Sequence, residues 1–182
     1  VFSEFSRQTI SEVKAFQEPD EALVAWMERE EILFRTLERH IVGKRITEGF
    51  TDVDSFISYS LSVQNRRKSR AGFALENHME QVFLDNSMRY SRGKVTENQS
   101  RPDFIFPGIE AYNDSSFDVR KLTMLGAKSS CKDRWRQVLT EAARIKNKHL
   151  ITLEPGISEN QTVEMRSNNL QLILPKDLHE TY

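Results

Sequence analysis

The first half of the chain carries apolar residues at helical spacing. Between Asp20 and Val42 they recur every three or four positions, and Gly43 follows as a stop signal. This pattern predicts a long amphipathic helix. A shorter helix is predicted from about Asp52, and a third over residues 70–83. Residues 1–85 are therefore predicted to be mainly helical.

After Asn86 the pattern changes to short apolar runs that are rich in β-forming residues and separated by turn-like segments. These runs predict four strands, at about 103–106, 119–127, 150–153 and 170–174. A further helix, over roughly 134–146, is predicted between the second and third strands. A strand, a crossover helix and a strand in that order favour parallel pairing with a right-handed connection. The predicted fold class is α/β, an α/β/α sandwich with a mixed central sheet.

The length and charge predict one domain with no general affinity for nucleic acid. A chain of 182 residues buries enough surface for a single core, with residues 1–85 as its helical part and 86–182 as its sheet-bearing part. The 26 Lys and Arg residues nearly balance the 27 Asp and Glu residues. Any affinity for DNA must therefore come from local basic clusters, such as residues 66–70 and 128–136. Taken alone, each cluster is more typical of a solvated surface.

Several features bear on the compartment. Cys131 is the only cysteine, so no intramolecular disulfide can form, and we interpret it as a buried or half-buried thiol. No apolar run has the length of a membrane span, and the first residues lack a signal-peptide pattern. We expect a cytoplasmic protein that has no membrane partner. Because the chain begins with Val1, we expect a fragment that lacks an upstream domain.

The candidate chemistry lies between Arg101 and Glu141. Asp103 opens a predicted strand, Lys128 follows the end of the next strand, and Glu141 lies on the predicted crossover helix. Neighbouring strand ends can bring these side chains together, and two carboxylates form a hard oxygen site suited to Mg²⁺. Such an ion polarises a phosphoryl group and activates water, while Lys128 would offset charge in the transition state.

An ordinary structural explanation competes with this interpretation. Pro-Asp is a common turn at the start of a strand, and a lysine at a strand end is often simply exposed. Asp103 and Lys128 would occur by chance at this separation in many proteins, so their spacing leaves both explanations open.

The spacing of the three residues resembles a known variant of a nuclease active site. Pro102-Asp103 is followed by Lys128 after 24 residues and by Glu141 after a further 12. This is similar to the PD-(D/E)XK restriction endonucleases of the EcoRII, PspGI, Ecl18kI and NgoMIV group, in which the second carboxylate has moved from the strand to the helix. The run from Lys128 to Arg134 looks most like the EcoRII catalytic domain. Gly126 stands where the more common form of the motif has an acid, so the resemblance implies that Glu141 supplies it.

Two residues outside this triad are further candidates, Glu76 from the resemblance and Tyr112 from its position near the expected active edge of the sheet. Glu76 lies in an Arg-x-Gly-x-x-x-Glu pattern that opens a helix in many enzymes of this fold, where it can reach the metal. An ordinary helix glutamate explains it equally well. Tyr112 lies in a predicted loop nine residues past Asp103, where its hydroxyl could bind a phosphate oxygen or position a water. It could equally pack on the core.

A triplet after the catalytic lysine is the candidate reader of DNA sequence. In the related enzymes a basic-acidic-basic triplet contacts G·C pairs, and Lys132, Asp133 and Arg134 match it. Arginine and lysine donate to guanine, and aspartate accepts from cytosine N4. A capped helix start is the alternative. Trp26 and Arg29, on one side of the first long helix, could stack on an extruded base as the relatives do, although a Trp at this spacing is more typical of a helix core.

The resemblance implies a type II restriction endonuclease catalytic domain. It would hydrolyse both strands of double-stranded DNA at a CC(A/T)GG-like site with Mg²⁺, as a homodimer. A catalytically inactive DNA-binding or effector module and a non-specific repair nuclease of the same fold are the alternatives.

Overall fold

The computed structural model of the chain describes residues 2–10, 13–132 and 134–181. The chain divides into two compact units, Val1–Met79 and Glu80–Tyr182. No helix among the described residues has the length and apolar character needed to cross a membrane.

The first unit is helical, as predicted. It contains α1 (Phe2–Gln8), α2 (Pro19–Glu48) and most of α3 (Val53–Asp85). Two predicted helix ends were wrong. Gly43 lies inside α2, because one interior glycine costs a helix only about 1 kcal/mol, and the helix instead ends at Gly49 with φ at 78°.

The second and third predicted helices are one continuous helix, α3. The polar segment between them contains neither glycine nor proline, and two of the cations in and beside it, Arg67 and Arg70, have partners on α2. The Arg67 guanidinium makes a bidentate contact with the Glu38 carboxylate at 2.7–2.9 Å. Arg70 binds Glu31. These ion pairs with α2 help the polar stretch to continue as part of one helix.

The second unit contains a five-stranded sheet in the order β1-β2-β3-β4-β5. Its strands are β1 (Ser91–Arg92), β2 (Phe104–Phe106), β3 (Thr123–Ala127), β4 (Lys148–Ile151) and β5 (Leu170–Ile173). The first three strands pair antiparallel and the last three pair parallel. This confirms the mixed sheet. The two-residue strand β1 was missed, and the first part of the predicted strand 119–127 forms a short 3-10 helix over Val119–Lys121.

Three short helices, α4 (Ile109–Asn113), α5 (Trp135–Val138) and α6 (Glu159–Ser167), belong to this unit. Its core contains the fully buried side chains of Trp135 and Val138 from α5 and Met124 and Leu150 from the sheet. The predicted helix 134–146 was therefore wrong for most of its length, since α5 has only four residues.

Candidate active site

Asp103 and Lys128 meet at one end of the sheet. Asp103 directly precedes β2, and Lys128 directly follows β3, which pairs antiparallel with β2. The Asp103 carboxylate accepts hydrogen bonds from the Lys128 ammonium and from the Ala127 backbone N–H, each at 2.7 Å. The two side chains are 14% and 13% exposed, so this ion pair is largely shielded from water.

Glu141 contributes a second carboxylate next to this pair. Burial raises the pKa of Glu141 to about 7, the charge of Lys128 lowers it, and the charge of Asp103 raises it further. The three side chains are therefore close enough to interact electrostatically. The Oε2 atom of Glu141 is buried and accepts no hydrogen bond from the described residues. A buried carboxylate oxygen without a donor is costly, and a cation would relieve that cost.

Glu141 does not lie on a helix, contrary to prediction. The chain leaves α5 after Val138, and Ala142 has φ at 47°, outside the helical region. The ammonium of the buried Lys148 donates to the carbonyl oxygens of both Glu141 and Ala142. Because these carbonyls bind a side chain, the regular helical hydrogen bonds of this segment are replaced.

Gly126 explains why the second acid is absent from β3. A Cβ atom at this position would lie 2.8 Å from a methyl group of Val138, closer than real Cβ contacts allow. Gly126 is buried, and any side chain there requires Val138 to shift. The position two residues before Lys128 therefore has little room for an acid.

The loop after Lys128 is anchored at Cys131. The backbone N–H of Cys131 donates to the Glu154 carboxylate, and its carbonyl accepts from Arg134 N at 2.8 Å. The Cys131 thiol is fully buried, as expected, and burial raises its pKa to about 11. Lys132 has φ at 22°, and its carbonyl accepts from the Gln161 side chain at 3.1 Å.

The predicted DNA-reading triplet lies in this loop. Lys132 and Arg134 are exposed, and Arg134 is followed immediately by α5. Asp133 lies outside the described residues. The recognition role of all three stays a prediction.

Tyr112 lies in a different environment from the predicted loop. It belongs to α4 and is 2% exposed. Its hydroxyl donates to the Glu97 carboxylate at 2.6 Å and accepts from Arg144 N at 3.2 Å. Burial and the hydrogen bond to Glu97 raise the pKa of Tyr112 to about 12. The structure thus fits the alternative of a core tyrosine, and its hydroxyl is engaged within the protein.

The three remaining candidates lie in the helical unit. Trp26 is 4% exposed and its ring centroid lies 5.8 Å from that of His78, which fits a core residue rather than a platform for an extruded base. The Arg29 Nε donates to Thr9 Oγ1 at 2.9 Å. Glu76 lies on α3 and is half-buried. Within the described residues no group of three or more His, Cys, Asp and Glu side chains is arranged to hold a metal ion. The role of Glu76 as a metal ligand stays a prediction.

Two residues that support the site were missed in the sequence. Lys148 begins an apolar strand, and a lysine that opens a buried strand is a detectable anomaly. Glu154 lies three residues past the end of β4, and Lys128 lies directly past the end of β3, the strand that pairs parallel with β4. Charged residues just past parallel strand ends were a usable signal, because such ends share one edge of the sheet.

Comparisons with known proteins identify the family to which the chain belongs. The family model described as EcoRII C terminal matches residues 34–182. The type II restriction enzyme EcoRII of Escherichia coli is 44% identical over 171 residues, which are 93% of this chain and 42% of that enzyme. The chain thus spans less than half the length of this relative.

Two solved structures share the fold. Metal-depleted Ecl18kI in complex with uncleaved DNA matches with a TM-score of 0.78 at 18% identity, over 99% of this chain and 71% of that one. The PspGI–substrate DNA complex matches with a TM-score of 0.78 at 14% identity, over 95% and 74%. The chain has the fold of the restriction endonucleases and belongs to the EcoRII C-terminal family.

Proposed function

We propose that the chain is the catalytic domain of a type II restriction endonuclease that hydrolyses phosphodiester bonds of double-stranded DNA at a CC(A/T)GG-like site. The observation that carries the proposal is the largely buried contact of Asp103 with Lys128 at one end of the sheet, with the half-buried Glu141 near enough for both charges to affect its pKa. The relative at 44% identity is named a type II restriction enzyme, and the structural neighbours are DNA complexes.

The residues present fit a divalent cation, which we infer to be Mg²⁺. Asp103 and Glu141 would hold it, because both offer carboxylate oxygens and one oxygen of Glu141 is buried without a donor. When bound, the ion supplies Lewis acidity to the phosphoryl group and lowers the pKa of a coordinated water. Because burial raises the pKa of Glu141 to about 7, its carboxyl would have to give up a proton to hold a cation near neutral pH.

Lys128 has two functions in this proposal. In the structure its ammonium donates to Asp103 and so fixes one carboxylate rotamer. During reaction the same ammonium would orient the attacking water and offset negative charge on the phosphoryl oxygens. It is 13% exposed, and in such a shielded position a preorganised charge acts more strongly than it would in water.

The exposed loop after Lys128 would read the DNA sequence. Lys132 and Arg134 would donate to guanine, and Asp133 would accept from cytosine. The anchoring of Cys131 by Glu154 holds this loop close to the catalytic lysine, which couples recognition to chemistry. A site with twofold symmetry is matched by two protein copies, so the proposal includes a homodimer.

Incubation with a plasmid that contains one CC(A/T)GG site tests the proposal. The expected result in Mg²⁺ is one linear product, and the expected result in EDTA is intact plasmid. A smear would instead indicate a non-specific nuclease. Binding to the site without cutting would indicate an inactive DNA-binding module. Sedimentation with and without a site-containing duplex tests the dimer.

A further inference from the structure

Lys148 is a buried cation that has no part in the proposed chemistry. It begins β4, pairs with Leu170 of β5, and is only 6% exposed. A buried lysine loses several kcal/mol of hydration, and the fold recovers that cost only if the ammonium finds good acceptors. Its acceptors therefore indicate what the lysine does.

The ammonium binds two consecutive backbone carbonyls. It donates to the Glu141 carbonyl and, at 3.1 Å, to the Ala142 carbonyl. In a regular helix the Glu141 carbonyl would accept from the N–H of Ile145. Here that N–H donates at 2.9 Å to the Ala142 carbonyl, one residue later. Lys148 thus takes the place of a helical hydrogen bond at the residue that carries the second carboxylate.

The backbone next to Glu141 is in an unfavourable conformation that requires support. Ala142 has φ at 47°, a region that costs a residue with a Cβ roughly 1–2 kcal/mol. A second anchor lies two residues on, where Arg144 N donates to the Tyr112 hydroxyl. The segment 139–147 is therefore held by the side chains of Lys148 from β4 and Tyr112 from α4. From α5 it receives only the turn hydrogen bonds of its first residues.

We propose that Lys148 is a positioning residue that holds the backbone of Glu141 so that its carboxylate stands beside Asp103 and Lys128. This proposal rests on the proposed function, which assigns a cation to the Glu141 carboxylate. It adds the residue that holds this carboxylate in position. A lysine that only stabilised the fold would affect unfolding. A positioning lysine affects the local backbone and the affinity for the cation.

The test compares Lys148→Met, Lys148→Gln and Lys148→Arg with Met165→Ala. Methionine has a similar length and no donor, glutamine keeps a donor on a shorter neutral side chain, and arginine keeps the charge and the donors. Met165→Ala is the matched control, since it removes a 1%-exposed side chain from the core of the same unit and leaves Lys148 unchanged.

The first readout is hydrogen exchange of the amides of 139–147 in the metal-free protein, measured by mass spectrometry. We expect exchange in this segment to rise at least about tenfold in Lys148→Met relative to Met165→Ala, with Lys148→Arg closer to the wild type. If Lys148→Met does not fold, Lys148→Gln provides the comparison. Exchange in 139–147 equal to that of the control overturns the proposal, whether or not the chain cuts DNA.

The second readout is Mn²⁺ binding, followed by electron paramagnetic resonance without DNA. Residues that orient metal ligands typically contribute 10–100-fold to affinity, so we expect a loss of about tenfold or more in Lys148→Met and a smaller loss in Lys148→Arg. Unchanged Mn²⁺ affinity in Lys148→Met also overturns the proposal. Failure of the wild type to cut DNA would count against the proposed function alone, because neither readout uses cleavage.

Discussion

Two glutamates, the buried Glu30 of the helical unit and the half-buried Glu141 of the sheet unit, have opposite surroundings. Glu30 is 2% exposed, with His78 Nε2 at 3.0 Å and Arg70 Nη1 at 3.7 Å from its carboxylate. Burial alone would raise the pKa of Glu30, but hydrogen bonds to His78 and Ser3 and the nearby positive charges lower it overall. Burial dominates at Glu141, where the pKa rises to about 7.

This difference suggests a structural role for the charge of Glu30 and a functional role for that of Glu141. The Oε2 atoms of both glutamates are buried, but their charged neighbours differ. Glu30 has His78 Nε2 and Arg70 Nη1 close to its carboxylate, and its pKa is lowered, so the fold favours its charged form. At Glu141 burial and the like charge of Asp103 outweigh the attraction of Lys128 and Lys148 and raise the pKa, so the fold disfavours its charged form. Groups that are left under-compensated in this way are typical of binding and catalytic sites. Mutations at the two positions should therefore affect different properties.

The largest expected effect is on DNA cleavage. Glu141→Gln and Asp103→Asn should each reduce the cleavage rate by about 10³-fold or more, because the electrostatic stabilisation of the transition state is lost. Glu30→Gln should keep the rate of the folded fraction within about tenfold of the wild type. Single-turnover cleavage in saturating Mg²⁺ measures both. A Glu141→Gln protein that cuts at the wild-type rate would show that this carboxylate is not the displaced acid.

Glu30→Gln should have the largest effect on folding. Removal of one partner from a buried ion pair leaves an uncompensated charge and costs about 3–5 kcal/mol. Urea unfolding at pH 7 measures the change in the free energy of unfolding. A loss of less than about 1 kcal/mol in the free energy of unfolding would mean that the charge of Glu30 is not stabilised by its neighbours. The two glutamates would then not differ in this respect.

Glu141→Gln should instead stabilise the metal-free protein at high pH. A carboxyl group whose pKa is higher in the folded chain favours folding at low pH. That contribution is fully present below the usual glutamate pKa of 4.5 and is lost as the pH rises through about 7. We expect the variant to gain on the order of 1–3 kcal/mol over the wild type at pH 8 and little at pH 4.5. Urea unfolding in EDTA at both pH values tests this. A gain that is equal at the two values would refute the raised pKa.

An acid placed on β3 at position 126 should not replace Glu141 in DNA cleavage. Gly126→Asp introduces a Cβ that meets Val138 at 2.8 Å, and overpacking of this kind costs about 1–3 kcal/mol. The double variant Gly126→Asp/Glu141→Gln should stay as inactive as Glu141→Gln. Recovery of cleavage by the double variant would show that α5 can move and that Gly126 does not exclude an acid.

The smallest expected effect is on sequence preference. Arg134→Ala should lose about 1–3 kcal/mol of discrimination between a CC(A/T)GG duplex and a random duplex. Arg144→Lys serves as a control in the same unit, since Arg144 contacts carbonyls of 112–117. Competition binding in Ca²⁺ measures the preference. An unchanged preference in Arg134→Ala would mean that Arg134 contacts only the DNA phosphates or does not contact the DNA.

The sequence predicted those parts of the fold that depend on local residue patterns or on the order of strands and helices along the chain. The mixed sheet and its parallel strands followed from β-forming runs with a crossover between them, and the long helices followed from apolar spacing. The continuity of α3 depends on the pairing of Arg67 with Glu38, 29 residues away. The two-residue strand β1 is too short for a periodicity signal. Both features are set by tertiary contacts.

The site was predictable in its composition but only partly in its geometry. The Asp103–Lys128 contact follows from their places at adjacent strand ends. The backbone around Glu141 does not, because good helix-forming residues continue to Lys146 and only the buried Lys148 and the conformation of Ala142 interrupt them. The burial of Tyr112 likewise depends on Glu97 and Arg144, two partners that are distant in sequence.

Mn²⁺ binding to the DNA-free protein tests most directly whether Glu141 is the under-compensated, metal-binding carboxylate. Wild type, Glu141→Gln and Glu30→Gln would be titrated at pH 7.5 and followed by electron paramagnetic resonance. If Glu30→Gln does not fold, Glu48→Gln provides an exposed control in the same unit. The account predicts that Glu141→Gln loses binding by about 10-fold to 100-fold while the variants of the helical unit bind as the wild type does. Equal Mn²⁺ affinity in the wild type and Glu141→Gln would contradict it.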